Sequence, residues 1–379
     1  MKLMHLSDLH LGKRINEFSM LEDQKYILDE IINIVDEDNP EVVIIAGDVY
    51  DKSVPSAEAV ELFDDFLFRL SRREIKVFVI SGNHDSAERI AFGGRIMDKS
   101  GIYMSPAYSG KILPVTLKDE FGKINFYMLP FIKPIQVRAH YREQEILTYN
   151  EAIAAVVQDM GINTEERNVL ITHQFVTGAL RTESEEISVG GSDNVDASHF
   201  TAFDYVALGH IHRAQKCGSE YIRYCGTPLK YSFSEAKDEK TVTIINLGEK
   251  GDIKLHFRVL KPKRDMVEIK GTYQELTLKS FYENTTYDRD YMHITLTDEE
   301  DIPEALMKLR VIYKNIMKLD YDNMRTRNSA TINGVVNTVQ RTPLEHFADF
   351  YKLQNGQDLS EEQSSFLEEI IQGIWRKEE

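Results

Sequence analysis

The sequence predicts a two-sheet α/β sandwich, followed by a small α+β domain and two C-terminal helices. Two observations predict this architecture. Apolar strand-like runs alternate with amphipathic helical stretches over the first hundred residues, and a second β-rich texture begins near residue 103. We place the domain boundaries at residues 1–261, 262–340 and 341–379.

The first part of the chain predicts a β–α–β–α–β unit. Its strands lie at residues 2–6, 41–46 and 77–80, and the continuous β-branched run of the second strand is typical of a strand buried on both faces. The intervening helices cover residues 22–37 and 56–70, where apolar residues recur every three or four positions. This alternation indicates a parallel sheet covered by helices.

The rest of the first domain predicts a second sheet. Residues 177–198 are rich in Gly, Ser and acidic side chains, which predicts a loop beside the functional site. The other predicted elements are short strands and turns over 103–131, a helix over 137–160, strands over 168–172 and 205–208, and further strands over 221–260.

The last part of the chain predicts a small βαβ unit, a polar linker over 320–342 and two helices. The second helix begins at a capping box formed by Ser360 and Gln363. About 40 residues cannot bury two apolar helical stripes alone, so the helices pack either on their own domain or on another protein. The βαβ unit consists of a strand over 291–296, a helix over 302–308 and a strand over 311–319.

Composition restricts the class of protein. No apolar run approaches the ~20 residues that cross a bilayer, which predicts no membrane association. Asp8 and His10 interrupt the first apolar run, so we do not expect a signal peptide. Cys217 and Cys225 are the only cysteines, which favours a reducing, cytoplasmic location.

The charge balance leaves the substrate open. The 379 residues include 62 acidic and 45 basic side chains, a net charge of −17. Nucleic-acid-binding proteins usually present a basic face, which argues against such a partner. Bound divalent cations reverse the local field, however, and another subunit can supply a basic surface.

Polar side chains follow each predicted strand and define one candidate site. Ligands bind beyond the carboxyl ends of the strands in open α/β sheets, so we expect these side chains to converge. None offers sulfur, which favours Mn, Fe, Zn or Mg over a thiolate site. Seven ligands suit two ions that share a carboxylate and activate water for attack at phosphorus. The candidate ligands are Asp8, His10, Asp48, Asn83, His173, His210 and His212.

His84 is the candidate general acid. Its neighbour Asn83 is a candidate ligand, and adjacent residues in an extended chain face opposite ways. His84 is therefore expected to face the substrate and to protonate the leaving alkoxide. Asp51, three residues after Asp48, is the candidate that orients this imidazole.

Each motif also has an ordinary structural interpretation. An Asp-x-His pair occurs often by chance, and Asp48 and Asp51 could serve only to cap the following helix. A histidine at a strand end is frequently a hydrogen-bonded structural residue. Gly82-Asn83-His84-Asp85 is more specific, and the occurrence of all these groups in order favours the metal site.

Together the motifs resemble the signature of the calcineurin-like metallophosphoesterases. The chain is also similar, along essentially its whole length, to the SbcD nuclease subunits, relatives of the Mre nucleases of archaea and eukaryotes. The metal motifs specify only the superfamily, and the segment around Lys230 indicates SbcD. The segments that carry the closer resemblance are 10–13 (HLGK), 173–176 (HQFV), 188–191 (SVGG) and 224–233 (YCGTPLKYSF).

The resemblance implies a DNA exonuclease and endonuclease that processes ends and hairpins with two Mn²⁺ ions. It implies His84 as catalytic acid, supported by Asp51. It also implies a homodimer that binds SbcC, an ATPase of the SMC type, through the C-terminal helices, with the βαβ unit facing DNA. By the same resemblance, Asp8, His10, Asp48 and His212 hold one ion, and Asp48, Asn83, His173 and His210 hold the other.

Two other functions remain open from the sequence alone. The same scaffold could hydrolyse phosphate esters of small molecules or phosphoproteins, because the metals do not distinguish what carries the phosphate. A non-catalytic scaffold that only binds partners is the other alternative. The complete set of candidate ligands and His84 argue against the second.

Overall fold

The computed structural model describes residues 1–185, 193–331, 344, 347–348, 351–352 and 358–375. The chain divides into two compact units, residues 1–266 and 267–379. Each unit is described by itself below. None of the described helices is long and apolar enough to traverse a lipid bilayer.

The first unit contains two six-stranded sheets and a small number of helices. Its helices are α1 (Leu21–Asp38), α2 (Ala57–Ser71), α3 (Ala87–Ile90), α4 (Gly94–Met97), α5 (Pro134–Arg138) and α6 (Tyr149–Asp159). Its strands are β1 (Lys2–Leu6), β2 (Arg14–Ile15), β3 (Phe18–Ser19), β4 (Val42–Ala46), β5 (Lys76–Ile80), β6 (Ile102–Met104), β7 (Val115–Asp119), β8 (Gly122–Leu129), β9 (Arg167–His173), β10 (Phe175–Val176), β11 (Asn194–Val195), β12 (Tyr205–Gly209), β13 (Gln215–Cys217), β14 (Ser219–Tyr224), β15 (Thr241–Leu247) and β16 (Ile253–Val259).

The two sheets have related topologies. The first has the order β16-β15-β1-β4-β5-β6, in which β1, β4, β5 and β6 run parallel and β15 and β16 add an antiparallel edge. The second has the order β13-β14-β12-β9-β8-β7, with β14, β12, β9 and β8 parallel. The predicted parallel β–α–β–α–β unit and the predicted second sheet are both confirmed.

The inner faces of the two sheets form one hydrophobic core. Leu3, Val42 and Phe78 from the first sheet pack with Phe126 and Val169 from the second, all of them fully buried. The rings of Phe78 and Phe126 stack with centroids 4.5 Å apart. Because strands buried on both faces must be apolar throughout, these strands have continuous rather than alternating hydrophobic sequences. The structure is therefore the predicted sandwich.

Local signals account for the helix boundaries. The hydroxyl of Ser56 accepts a hydrogen bond from the Ala59 amide and begins α2. The helix predicted over 137–160 is two helices, because Thr148 begins a new one through a capping box with Glu151. That hydrogen-bonded start, rather than the apolar period, sets where α6 begins.

The second unit is a small α+β structure whose core includes Met292, Ile294, Leu309 and Tyr313. Its three-stranded sheet has the order β17-β18-β19, and β18 and β19 are parallel, as the predicted βαβ unit requires. The elements are β17 (Met266–Gly271), α7 (Tyr273–Thr277), α8 (Lys279–Tyr282), β18 (Tyr291–Leu296), α9 (Ala305–Leu309), β19 (Asn315–Tyr321), α10 (Met324–Thr331) and α11 (Glu361–Trp375).

Three details of the second unit bear on the sequence predictions. The polar stretch expected to be a linker contains α10, whose start is capped by the Asn323 side chain, which accepts from the Thr326 amide. The capping box predicted before α11 is confirmed, because Ser360 and Gln363 exchange side-chain to backbone hydrogen bonds. The helix predicted before it falls mostly outside the described residues.

One buried ion pair joins three parts of the first unit. Both Nη atoms of the Arg167 guanidinium donate to the Asp119 carboxylate and also to the carbonyl oxygens of Gly122 and Gly248. The Arg167 side chain is only 3% exposed. A charge removed this far from water is stable only while all of its hydrogen bonds are made.

Arg167→Met is therefore expected to lower the free energy of unfolding by about 3 kcal/mol, because the buried Asp119 carboxylate keeps the N-terminal ammonium at 2.9 Å but loses the guanidinium, and the carbonyls of Gly122 and Gly248 lose their donor. The measurement is urea denaturation followed by circular dichroism. Lys123→Met is the matched control, since Lys123 pairs with Glu166 at a more exposed position, where an ion pair contributes less than about 1 kcal/mol. Equal losses of unfolding free energy in the two variants would show that the buried Arg167–Asp119 pair contributes no more than an exposed one.

Candidate metal centre

The carboxyl ends of strands from both sheets meet at one polar cluster. Asp8 and His10 follow β1, Asp48 follows β4, and Asn83 follows β5. His173 ends β9, while His210 and His212 follow β12. All of these side chains except that of Asn83 are buried. The structure thus brings together all seven residues that the sequence singled out.

Ligand-type atoms within the cluster lie close to one another. Asp8, His10 and His212 form one group whose ligand atoms all lie within 4.8 Å, and Asp8, Asp48 and His173 form another. The Nε2 atoms of His10 and His212 face each other at 3.1 Å. On the other side, Asn83 Oδ1 lies 3.0 Å from His173 Nε2 and 2.9 Å from His210 Nδ1.

Asp48 lies between the two sides of the cluster. Its Oδ2 atom is 3.7 Å from His10 Nε2 and 3.4 Å from His173 Nε2. Its Oδ1 atom accepts a hydrogen bond from the backbone amide of His84 at 2.9 Å. This is the position that a carboxylate shared by two ions requires.

Four of the candidate ligands have a left-handed backbone conformation, although none of them is glycine. The φ angles are 54° at Asp8, 45° at His10, 48° at Asp48 and 103° at His210. Such conformations cost free energy in residues with a side chain, and proteins retain them mainly at functional sites. Backbone hydrogen bonds hold them here, including Asp8 to the Gly47 carbonyl at 3.0 Å and His10 to the Asp48 carbonyl at 2.9 Å.

Two glycines permit the close approach of the strand ends. A Cβ atom on Gly82 would lie 2.1 Å from Asp48 Oδ1, and one on Gly209 would lie 1.8 Å from the Ala46 carbonyl oxygen. Both contacts are far shorter than any tolerated separation. The Gly before Asn83 and the Gly before His210 are therefore requirements of the packing at the site.

The cluster contains imidazoles of opposite ionisation behaviour. Burial lowers the pKa of His10 and His212, and it lowers that of His210 to about 3. At His173 burial acts in the same direction, but the Asp48 and Asp8 carboxylates outweigh it and raise the pKa to about 9. In the metal-free protein His173 is thus an imidazolium that neutralises Asp48.

Burial and neighbouring charges also shift the pKa values of Asp8 and Asp48, in opposite directions. Burial and the neighbouring Asp48 charge raise the pKa of Asp8 to about 7, although His173 opposes this. Burial also disfavours ionisation of Asp48, but the charge of His173 and its contact with that carboxylate hold the pKa of Asp48 below its usual range. The cluster thus carries one firmly ionised carboxylate.

These residues fit divalent cations. Oxygen and imidazole nitrogen without thiolate is the donor set of hard and borderline metals. His10 and His212 direct ring nitrogens at each other, and His10 Nδ1 is buried without a hydrogen-bond partner. Neutral imidazoles and an ionised carboxylate held at ligand-to-ligand separations are what a divalent ion needs.

His84 lies beside the cluster, but its contact with Asp51 differs from the predicted one. The His84 Nδ1 atom donates to the backbone carbonyl of Asp51 at 3.1 Å, not to the carboxylate. The Asp51 carboxylate instead binds Lys13 Nζ at 2.7 Å and lies 3.6 Å from His10 Nδ1. The side chain of Asp51 therefore faces the His10 side, and its main chain orients His84.

Asp85 was not among the predicted site residues. Its carboxylate accepts hydrogen bonds from the backbone amides of Val49, Tyr50 and Gly82 at 2.9–3.0 Å, which ties the loop after β4 to the loop after β5. Burial and the charge of Asp48 raise its pKa to about 6. In the sequence, the position of Asp85 at the end of the motif Gly82-Asn83-His84-Asp85 could have indicated its role.

Two cavities adjoin the cluster. One of about 160 Å³ has aromatic walls formed by Phe131, Tyr149 and Phe175, next to Asn83 and His210. The other, about 660 Å³ and open, has a different character. It is lined by His84, Ser184 and the segment 51–54, together with Lys13. Neither cavity was predicted, because their lining residues come from separate loops, strands and helices and carry no common sequence period.

The fold and the site are those of a known class. A family model of the calcineurin-like phosphoesterases matches residues 1–214, which is more than half of the chain. A second model, described as the type 5 capsule protein repressor C-terminal domain, matches residues 262–355. The first unit is therefore a calcineurin-like phosphoesterase.

Two curated relatives resemble the chain along its whole length. The SbcD subunit of the SbcCD nuclease from Staphylococcus epidermidis is 32% identical over 384 residues, covering 100% of both chains. The protein of the same name from Staphylococcus saprophyticus is 32% identical over 379 residues, covering 99% of this chain and 98% of the relative. The chain belongs to the SbcD family. A dimetal phosphatase from Danio rerio, a solved structure, aligns with a TM-score of 0.41 and 10% identity over 68% of this chain and 96% of that chain.

The raised pKa of His173 predicts that cation binding releases a proton. At pH 8 Asp8, with a pKa of about 7, is mostly ionised, whereas His173, with a pKa of about 9, still carries its proton. A cation bound at Nε2 must displace that proton, so about one proton is released per protein at pH 8. Affinity then rises about tenfold per pH unit until pH 9.

The measurement is isothermal titration of Mn²⁺ into metal-free protein at pH 8 in two buffers with different ionisation enthalpies. At pH 10 the wild-type protein should release no proton from this residue. His173→Gln should abolish the release at pH 8. An unchanged release in that variant would assign the proton to another group.

Proposed function

We propose that this chain is the metal-dependent nuclease subunit of an SbcCD-type complex, which hydrolyses DNA phosphodiesters at ends and hairpins during repair and recombination. The observation that carries the proposal is the convergence of seven ligand-type side chains from both sheets around Asp48. Membership of the SbcD family supports DNA as the substrate rather than another phosphate ester.

The proposed ligand sets follow the two sides of the cluster. Asp8, His10, Asp48 and His212 would hold one divalent ion, and Asp48, Asn83, His173 and His210 would hold the other, with Mn²⁺ as the proposed metal. When bound together, two such ions polarise a phosphate and provide a nucleophilic water near neutral pH. The protein supplies the shared carboxylate and a buried environment in which that charge acts strongly.

His84 is the proposed general acid. Its Nδ1 atom already donates to the Asp51 carbonyl, so transfer of a proton from Nε2 requires that the ring enters the reaction protonated on both nitrogens. The carbonyl can only accept a hydrogen bond, so it fixes the proton on Nδ1 and leaves Nε2 as the nitrogen that can face the leaving group. Asp51 thus supports His84 through its main chain.

The surroundings of the cluster suit a nucleic-acid end. Lys13, Lys52 and Asp51 line the cavity at His84, and because Asp51 pairs with Lys13, these three side chains leave one net positive charge where DNA phosphates would lie. Phe131, Tyr149 and Phe175 beside His210 offer rings on which an unpaired base can stack, an interaction of about 1–3 kcal/mol per base. The site therefore complements an unpaired nucleotide, although the whole chain is acidic.

We further propose a cytoplasmic homodimer that binds an SMC-type ATPase, SbcC, through the C-terminal helices. In α11, Phe366 and Ile370 are 64% and 42% exposed, although both belong to its apolar stripe. Exposed apolar side chains at helical spacing form the surface that a partner helix covers. We also propose that residues 262–340 face the DNA.

His84→Gln tests the catalytic assignment. The variant should bind two Mn²⁺ ions as the wild type does, yet cleave DNA hairpins and blocked ends about 10²- to 10⁴-fold more slowly, because only the proton donor is lost. Metal stoichiometry comes from titration calorimetry and cleavage rates from gels. Asp51→Asn is the matched comparison, and it should retain more activity because the carbonyl that orients His84 remains.

Two results of that assay would overturn parts of the proposal. Loss of one ion in His84→Gln would show that this imidazole is a ligand, which its position near His10 and Asp48 makes a specific alternative. If the Mn-loaded wild type cleaved small phosphodiesters but left single- and double-stranded DNA intact, the chain would be a small-molecule phosphodiesterase. An inert wild type would indicate a scaffold.

The double substitution Phe366→Glu, Ile370→Glu tests the partner surface. It should reduce co-purification of the SMC-type ATPase at least tenfold and leave Mn-dependent cleavage by the isolated chain unchanged, because the helix lies outside residues 1–266. Glu362→Lys, Glu368→Lys on the same helix is the matched control at exposed polar positions. Loss of cleavage, or retention of the ATPase, would contradict the assignment.

A further inference from the structure

The ring of His212 is held from behind by a serine and a buried carboxylate. Its Nδ1 atom lies 2.6 Å from the hydroxyl of Ser184, and that hydroxyl lies 2.6 Å from Glu235 Oε1. Glu235 itself is 4.0 Å from His212 Nδ1, too far for a hydrogen bond. Ser184 is thus the group that connects the imidazole to the carboxylate.

The direction of each hydrogen bond follows from the number of protons. A serine hydroxyl has one proton, and Glu235 as a carboxylate can only accept it. The hydroxyl must therefore accept from His212, so the imidazole carries its proton on Nδ1. The other nitrogen, Nε2, is left with its lone pair, and it points at His10 Nε2 at 3.1 Å. That is the tautomer in which His212 can bind a cation through Nε2.

Glu235 is itself held in place by a buried ammonium group. It is fully buried, and Lys240 Nζ, also buried, donates to its Oε2 atom at 2.5 Å. The same ammonium donates to the carbonyl oxygen of His212 at 2.8 Å. The Lys240 ammonium donates to Oε2, so Oε1 is the oxygen that accepts at the end of this chain of hydrogen bonds.

The segment that carries Ser184 also holds the backbone of His212. The Glu185 carboxylate accepts from the His212 amide at 2.7 Å. Two consecutive residues therefore fix His212 at its main chain and at its ring. This segment belongs to the Gly-, Ser- and acidic-rich stretch 177–198, to which the proposed function assigns no role.

We propose that Ser184 is a positioning residue for His212, acting with Glu235 to fix the Nδ1–H tautomer and present Nε2 to a divalent cation. Outer hydrogen bonds of this kind set the tautomer and orientation of ligating histidines, and their loss usually lowers metal affinity 10- to 100-fold. The inference rests on the proposed metal site but not on DNA as the substrate.

A simpler role for Ser184 is to anchor its segment, and the chain offers a matched serine, Ser234, that anchors the same segment without a hydrogen bond to the His212 ring. The Ser234 hydroxyl accepts from the Glu183 amide at 3.0 Å and contacts Ser232, but it is not bonded to His212. Loss of the Ser234 hydroxyl therefore loosens the same segment without removing a bond to the ring. The two serines separate anchoring from positioning.

The first experiment uses the full-length, metal-free protein labelled with ¹⁵N-histidine. Long-range ¹H–¹⁵N correlation spectra report which ring nitrogen carries the proton, with the His212 signals assigned from His212→Gln. Wild type and Ser234→Ala should show the Nδ1–H tautomer at His212. Ser184→Ala should lose it, and Ser184→Thr should restore it. A wild-type His212 protonated on Nε2 would overturn the proposal without the use of any variant.

The second experiment titrates Mn²⁺ into the same four proteins. Ser184→Ala should weaken the binding of one of the two ions 10- to 100-fold and leave the other unchanged, whereas Ser184→Thr and Ser234→Ala should bind as the wild type does. Equal weakening in Ser184→Ala and Ser234→Ala would show that anchoring alone matters. A wild type that binds fewer than two ions would refute the proposed metal site, while the tautomer measurement would still stand.

Discussion

Asp48 is a buried carboxylate that must remain ionised among four buried imidazoles, and much of the architecture serves that condition. It lies at the meeting point of the two sheets, 3.7 Å from an imidazole delivered by β1 and 3.4 Å from one delivered by β9. A buried charge is stable only when hydrogen bonds and an opposite charge compensate it. The His84 amide and the His173 imidazolium supply both in the metal-free protein.

The same condition explains the unusual backbone around the site. Four of the candidate ligands adopt positive φ angles. Two glycines, Gly82 and Gly209, lie so close to neighbouring oxygen atoms that a Cβ atom would clash with them. The free energy lost in these conformations is offset by the packed core between the sheets, where the strands are buried on both faces. A rigid scaffold thus holds polar groups in positions that a flexible loop would not retain.

The sequence predicted the sheets and the seven candidate ligands because both leave local signals. Buried parallel strands are largely apolar, and Asp8, Asp48, Asn83 and His210 each follow such a run within three residues. Boundaries set by local side-chain hydrogen bonds, such as the Thr148 capping box of α6, were not predictable from an apolar period. The contact of His84 with the Asp51 carbonyl was also missed. Every residue has a main-chain carbonyl, so the residue type carries no signal for such a contact.

Residues that act from behind the ligands were the hardest to find. Ser184 and Glu235 are 51 positions apart, and neither stands beside a ligand in sequence. Their relation to His212 depends on how the chain returns after β14, which is a tertiary fact. Asp85 was within reach only because it adjoins Asn83 and His84 in one motif.

The cluster also has a consequence for the synthesis of the protein. Asp8 and His10 leave the ribosome early, whereas His210 and His212 follow some 200 residues later, and the hydrogen bond from the His210 amide to Asp8 spans 202 positions. A nascent chain that stops short of β12 therefore lacks half of the imidazoles that the cluster needs. The candidate metal centre can therefore be completed only after the chain has been synthesised as far as His212.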